Sequence, residues 1–198
     1  MLVVTDLADQ AVVLPLIGVI ALTLAIQGWP RGAVAWLAAT SATFGLMLIL
    51  KLIFLGCGGA LGITRIQSPS GHAASAALVI GGLAARFMPS IPWVLVAAAG
   101  GAIAVGYTRV ALGFHSIDET VLGGMVGIAG AGALAQMAGK PPPTQPLPLV
   151  IMVIAVVVAL HGKRLPAEPA IRQASSIIHM LVPWCAPPSP PPARGRRS

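Results

Sequence analysis

Apolar residues run in six long stretches: Ala11 to Trp29, Ala33 to Leu55, His72 to Met88, Ile91 to Thr108, Thr120 to Ala138 and Pro146 to Leu160. Each approaches the roughly 17–25 apolar residues a helix needs to cross a hydrocarbon layer. The pattern predicts an all-α, polytopic transmembrane bundle of six spanning helices, or five if the short last run does not cross. The breaks between runs carry helix-stopping residues: Trp29-Pro30-Arg31-Gly32, Gly56 to Pro69, Pro89-Ser90-Ile91-Pro92, Gly113 and Pro141-Pro142-Pro143. The first run has no basic leader and no small-residue cleavage pattern, so it reads as a retained helix. Residues 1–162 are expected to form the membrane domain. Residues 163–198 read as a basic, proline-rich tail, partly disordered, in which Ile171 to Trp184 is mildly amphipathic and suits a membrane surface.

Composition agrees with that picture and closes off others. Hydrophobic residues make up 57% and charged residues 9%, against about 25% charged in a soluble domain, so a free-standing soluble globule is excluded. Gly123 and Gly127, at small-xxx-small spacing, and the run Ala73 to Ala77 point to helices that pack closely. The formal charge of +7 raises the question of nucleic acid, but the 12 Lys and Arg are scattered singly until the end of the chain. No basic face for a phosphate backbone is formed, and anionic lipid headgroups are the better match. Cys57 and Cys185 show neither a disulfide framework nor metal-ligand spacing, and both are expected to have no role.

In a chain so poor in charge, ionisable groups gathered at helix ends are the natural candidates for chemistry. They gather at Lys51, at Arg65 to His72 and at Arg109 to Glu119. The first two flank the connection between the second and third runs, and the last occupies the connection between the fourth and fifth. Connections two helices apart open on the same side of a membrane, so these groups can meet at one face. Ser70 is a good N-cap before the Ala-rich third run, Gly71 permits close backbone approach, and the first N–H groups of that helix form an anion site. Arg109 offers a planar fork for phosphate oxygens. His115 and Glu119, spaced i, i+4, let a carboxylate hold one ring nitrogen and leave the other to attack, with Asp118 as a rival partner. Two histidines, a carboxylate and several cations around a helix N-terminus suit phosphoryl transfer through a phosphohistidine. A metal site is disfavoured because Lys51, Arg65 and Arg109 repel a cation.

These residues resemble a known family. Pro69-Ser70-Gly71-His72, followed by Arg109-x5-His115-x3-Glu119, is similar to the second and third signature motifs of the type-2 phosphatidic acid phosphatase superfamily. That superfamily contains integral membrane lipid phosphatases and soluble vanadium haloperoxidases, and its motifs read Pro-Ser-Gly-His and Ser-Arg-x5-His-x3-Asp. The resemblance covers roughly Lys51 to Gly127. It implies that His115 attacks phosphorus, that His72 protonates the leaving group, that Arg109, Ser70 and Gly71 bind phosphate, and that Glu119 stands in the place of the usual Asp. The first family motif, Lys-x6-Arg-Pro, is degenerate: Lys51 is in place, but Gly58 stands where arginine is expected, and Arg65 is the available substitute.

The implied activity is metal-independent hydrolysis of a lipid phosphomonoester or pyrophosphate, with phosphatidic acid, phosphatidylglycerol phosphate and undecaprenyl pyrophosphate as candidate substrates. The alternative is a non-catalytic protein of the same fold that binds or transports anionic lipid. Neither cofactor nor nucleic-acid partner is expected. His161 and His179 receive no role. Arg31, Arg86 and Lys140 fall in connections opposite the site, so positive-inside counting places the site outside the cytoplasm, and the resemblance implies a bacterial inner membrane.

Overall fold

The structure, a computed structural model, describes residues 6–63, 65–88 and 90–185. Among these residues there are seven α-helices and no strand. They are α1 (Gln10–Ile26), α2 (Pro30–Cys57), α3 (Gly71–Phe87), α4 (Ile91–Ala111), α5 (Ile117–Ala138), α6 (Leu147–Leu160) and α7 (Ala167–Leu181), followed by a single 3-10 turn, Pro183–Cys185. All six apolar runs are helices. Three of them, α2, α4 and α5, are long and apolar enough to cross a membrane, while α1 and α6 are shorter apolar helices.

Local sequence explains where the helices start. The Asp9 carboxylate caps α1 by accepting from Ala11 N at 2.9 Å. Ser70 caps α3 by accepting from Ala73 N. Ser116 and Glu119 form a reciprocal capping box at the start of α5, which satisfies donors the helix leaves unpaired. Pro30 and Pro92 open α2 and α4, where a missing N–H costs nothing.

Helices α3, α4 and α5 pack against one another; α2 lies against α5, α1 against α2, and α6 against α1. Glycine lets α3 and α5 approach closely. A Cβ on Gly123 would run into the carbonyl oxygen of Ser70, and one on Gly127 would meet the carbonyl oxygen of Ala74. That approach brings Ser70 N within 2.9 Å of the Glu119 carbonyl oxygen, so the entry to α3 is bonded to the entry to α5. At the other end of the bundle, Trp29 Nε1 and Arg31 Nε donate to the last carbonyls of α5 at Ala138 and Met137.

One expectation needs correction. Cys57 and Cys185 are not bystanders: they form a disulfide, with Cα atoms 4.4 Å apart, that ties the end of α2 to the 3-10 turn. The segment read as a tail is also folded back as far as residue 185, because α7 packs on α2 and brings a cysteine 128 positions away beside its partner. No local spacing announces such a pair. The part of the tail expected to be disordered, residues 186–198, lies outside the described residues.

Length places the polar groups. At about 1.5 Å per residue, Lys51 stands roughly 30 Å along α2 from Pro30, about the thickness of a hydrocarbon core. Gly123→Ala is expected to lower stability by about 1–3 kcal/mol, as overpacking does. Gly18→Ala, at a position with nothing within 4 Å of its added Cβ, should be neutral or stabilising; thermal unfolding in detergent compares the two.

Candidate active site

Lys51 from α2, His72 from α3, Arg109 from α4, and His115 and Glu119 at the start of α5 all line one cavity of about 450 Å³. The convergence expected from counting helices is therefore present. Gly71 and Ser68 line the same cavity, while Ser70 is fully buried behind it as the cap of α3. Arg65 is exposed and does not belong to the cavity wall, and neither does Gly58.

The centre of the arrangement is the Glu119 carboxylate, which accepts four hydrogen bonds. Oε1 takes the backbone N–H groups of Gln67 (2.9 Å) and Ser68 (2.8 Å). Oε2 takes Ser116 N and His115 Nδ1, both at 3.0 Å. Glu119 is 7% exposed, and Asp118 beside it points to solvent. The rivalry between the two carboxylates is thus decided by burial: Asp118 lies on the outer face of the first turn.

Because a carboxylate only accepts, His115 Nδ1 carries the proton, and Nε2 of the neutral ring presents its lone pair. Burial pushes the His115 imidazolium pKa below its usual 6.5; the Glu119 hydrogen bond opposes this, and the nearby Arg109 and Lys51 charges reinforce it. The ring is therefore held in the neutral form a nucleophile requires.

Arg109 supplies the anion-binding character. Its guanidinium lies over the Phe114 ring, 4.3 Å from the centroid, and its buried Nε has no hydrogen-bond acceptor among the described residues. A buried, unpaired guanidinium N–H is costly unless an acceptor arrives. Lys51, 6% exposed, donates from Nζ to Ser68 Oγ at 2.7 Å.

Three participants carry no motif in the sequence. Asp9, the cap of α1, places Oδ2 3.7 Å from His72 Nε2. Its other oxygen accepts from Leu165 N at 3.0 Å, which pins the connection after α6 to the start of α1. Glu168 and Arg172, from the first turns of α7, also line the cavity. Asp9 had a readable local signal as an N-cap before an apolar run, but nothing in the sequence linked it to His72. Nothing in the sequence announced a place in the cavity for Glu168 and Arg172, since Glu168 meets Lys51 across 117 positions.

No family model, no curated protein and no solved structure matches the chain. Removing the Glu119 side chain leaves four donors without their acceptor, so Glu119→Ala is expected to cost about 1–3 kcal/mol or more. Asp118→Ala should leave the unfolding temperature in detergent unchanged.

Proposed function

We propose that the chain is an integral membrane phosphatase that hydrolyses a lipid phosphomonoester or pyrophosphate through a phosphohistidine at His115, without a metal ion. The observation that carries this reading is His115, held through Nδ1 by Glu119 at 3.0 Å, in the same cavity as His72, Arg109 and Lys51. The phosphoryl group would lie on Arg109, Lys51 and the first N–H groups of α3, where cations and a helix N-terminus attract it. His115 Nε2 attacks phosphorus as the bond to the leaving oxygen breaks, and His72 delivers a proton to that oxygen. Water then attacks the phosphohistidine, returning its proton to His72 and releasing phosphate. Asp9, whose Oδ2 lies 3.7 Å from His72 Nε2, is the group placed to orient that ring in the first step.

A lipid substrate is supported by the remaining wall of the cavity. Leu14, Phe44, Met47, Leu48 and Ile171 line it together with the charged groups, so an apolar chain and a phosphate have adjoining surfaces. Six membrane crossings are the reading for α1 to α6, with α3 completing the set through its contacts with α4 and α5. The disulfide lies at the same end of the bundle as Lys51 and supports a site outside the cytoplasm, since such bonds persist in oxidising compartments. Arg31, Arg86 and Lys140 mark the opposite end. The basic groups at the site end weigh less against this orientation because Arg164 pairs with Asp6 and Arg172 with Glu168.

Purified protein in detergent is expected to release phosphate from at least one of phosphatidic acid, phosphatidylglycerol phosphate or undecaprenyl pyrophosphate. Vanadate should inhibit and EDTA should not. His115→Ala should abolish turnover while the protein stays folded; substantial residual activity would remove His115 as nucleophile. The acid limb of kcat/KM should fall below pH 6.5, because burial depresses the His115 pKa and a protonated ring cannot attack phosphorus.

Asp9→Asn tests the other histidine. General acid catalysis is worth about 10²–10⁴-fold and matters most for a poor leaving group, so this variant should lose more activity on a lipid phosphate than on p-nitrophenyl phosphate. Equal losses on the two substrates would reduce Asp9 to the cap of α1.

A further inference from the structure

The groups that make the cavity attractive to phosphate already hold an anion, and it belongs to the chain. Glu168 Oε2 accepts from Lys51 Nζ at 2.6 Å, and Oε1 accepts from Ser68 Oγ at 3.0 Å. Arg172, one turn further along α7, stands 3.5 Å from the same carboxylate. This is a cation, a hydroxyl and a second cation on one carboxylate, the donor set that would otherwise serve phosphate oxygens. The three side-chain cations on the cavity wall, Lys51, Arg109 and Arg172, are balanced by Asp9, Glu119 and Glu168. A phosphate can take over the donors of one of these carboxylates only where that carboxylate can leave them. Glu119 is fixed by four donors, and Asp9 by its backbone contacts with Ala11 and Leu165. Glu168 is held by side chains alone, on a helix outside the packed core.

The attachment of α7 completes the device. Its leading connection is fastened by the two-point Arg164–Asp6 contact, at 3.0 and 3.2 Å. Beyond its far end Cys185 is bonded to Cys57 on α2, the helix that carries Lys51. Between these two fastenings the Glu168 contacts with Lys51 and Ser68 and packing on α2 hold the helix against the bundle. Burial alone would raise the Glu168 pKa, but Lys51, Ser68 and Arg172 outweigh it and hold the carboxyl below its usual range, so it stays ionised at neutral pH.

We propose that α7 is an autoinhibitory latch: Glu168 occupies the anion-binding locus at Lys51 and Ser68, a phosphate must displace it to bind, and the Cys57–Cys185 disulfide keeps it close enough to return. The proposal rests on reading the cavity as a phosphate site. Its test therefore measures binding of inorganic phosphate as well as turnover.

Titration of the full-length protein in detergent with inorganic phosphate, followed by 31P NMR or calorimetry, compares wild type with Glu168→Gln. The variant keeps the shape and removes the charge. It is expected to bind phosphate about 10- to 100-fold more tightly, the worth of one charge-assisted hydrogen bond regained, with a lower KM for any lipid substrate and an undiminished kcat. Wild-type protein treated with a phosphine reductant should shift in the same direction by a smaller factor, which covers the case in which the substitution itself disturbs folding. Tighter phosphate binding without lipid turnover would uphold the latch and remove the phosphatase reading. Equal phosphate affinity in wild type and variant would overturn the latch and leave that reading standing. Weaker binding or a lower kcat in Glu168→Gln would make Glu168 part of the working site and overturn the latch. Absence of phosphate binding in both proteins would remove both.

Discussion

One carboxylate organises the site. Glu119 accepts from the loop before α3, from the cap of α5 and from the imidazole of the adjacent His115, so two chain segments far apart in sequence share one acceptor. A buried carboxylate is expensive unless its lone pairs are filled, and here all four donors come from groups that would themselves be costly to bury unpaired. Each side therefore pays the other's desolvation. The arrangement exists only because α3 and α5 come close enough for Ser70 N to reach the Glu119 carbonyl oxygen, which requires a residue without a side chain at Gly123. Small-residue packing and chemistry are thus parts of one constraint.

The same economy governs where charge is tolerated. Lys51, Glu119, His72 and His115 sit at helix ends about one hydrocarbon thickness from the opposite face of the bundle, and the helices between carry almost nothing ionisable. Among the described residues, the buried charges Asp6, Asp9, Lys51 and Glu119 at the site end each have a near neighbour of opposite sign or a set of hydrogen-bond donors, while the buried Nε of Arg109 has no acceptor. An uncompensated donor beside a compensated network is what a site built for an anion presents. Asp9 and Glu168 then matter as much as the cations, because they set how positive the cavity is when it is called on to bind.

Much of this was legible in the sequence, for local reasons. Six apolar runs gave six helices, and helix parity alone brought Lys51, His72, Arg109 and His115 together. The i, i+4 spacing put Glu119 on His115, and the same residue, three positions after Ser116, completed the capping box. Burial, which the sequence does not display, separated Glu119 from Asp118. What stayed hidden has the opposite character. The disulfide, the Asp9–His72 approach and the Lys51–Glu168 pair join residues separated by 128, 63 and 117 positions, and no periodicity or motif encodes them. Arg65 shows the converse error: it is near the site in sequence, yet it lies exposed outside the cavity.

Residues beyond 162 meet the bundle for a related reason. Low apolar content and scattered prolines mark a segment with little core of its own. It does not follow that such a segment stays off the core of its neighbour. Helix α7 needs no interior because α2 supplies the surface, a disulfide supplies the tether, and the cations of the cavity supply an electrostatic anchor for Glu168. A peripheral helix fastened in part by the charges lining a cavity is held by forces a ligand could use. On the proposed reading, an anion entering the cavity would compete with α7 for Lys51, and the position of the helix would be coupled to occupancy of the cavity.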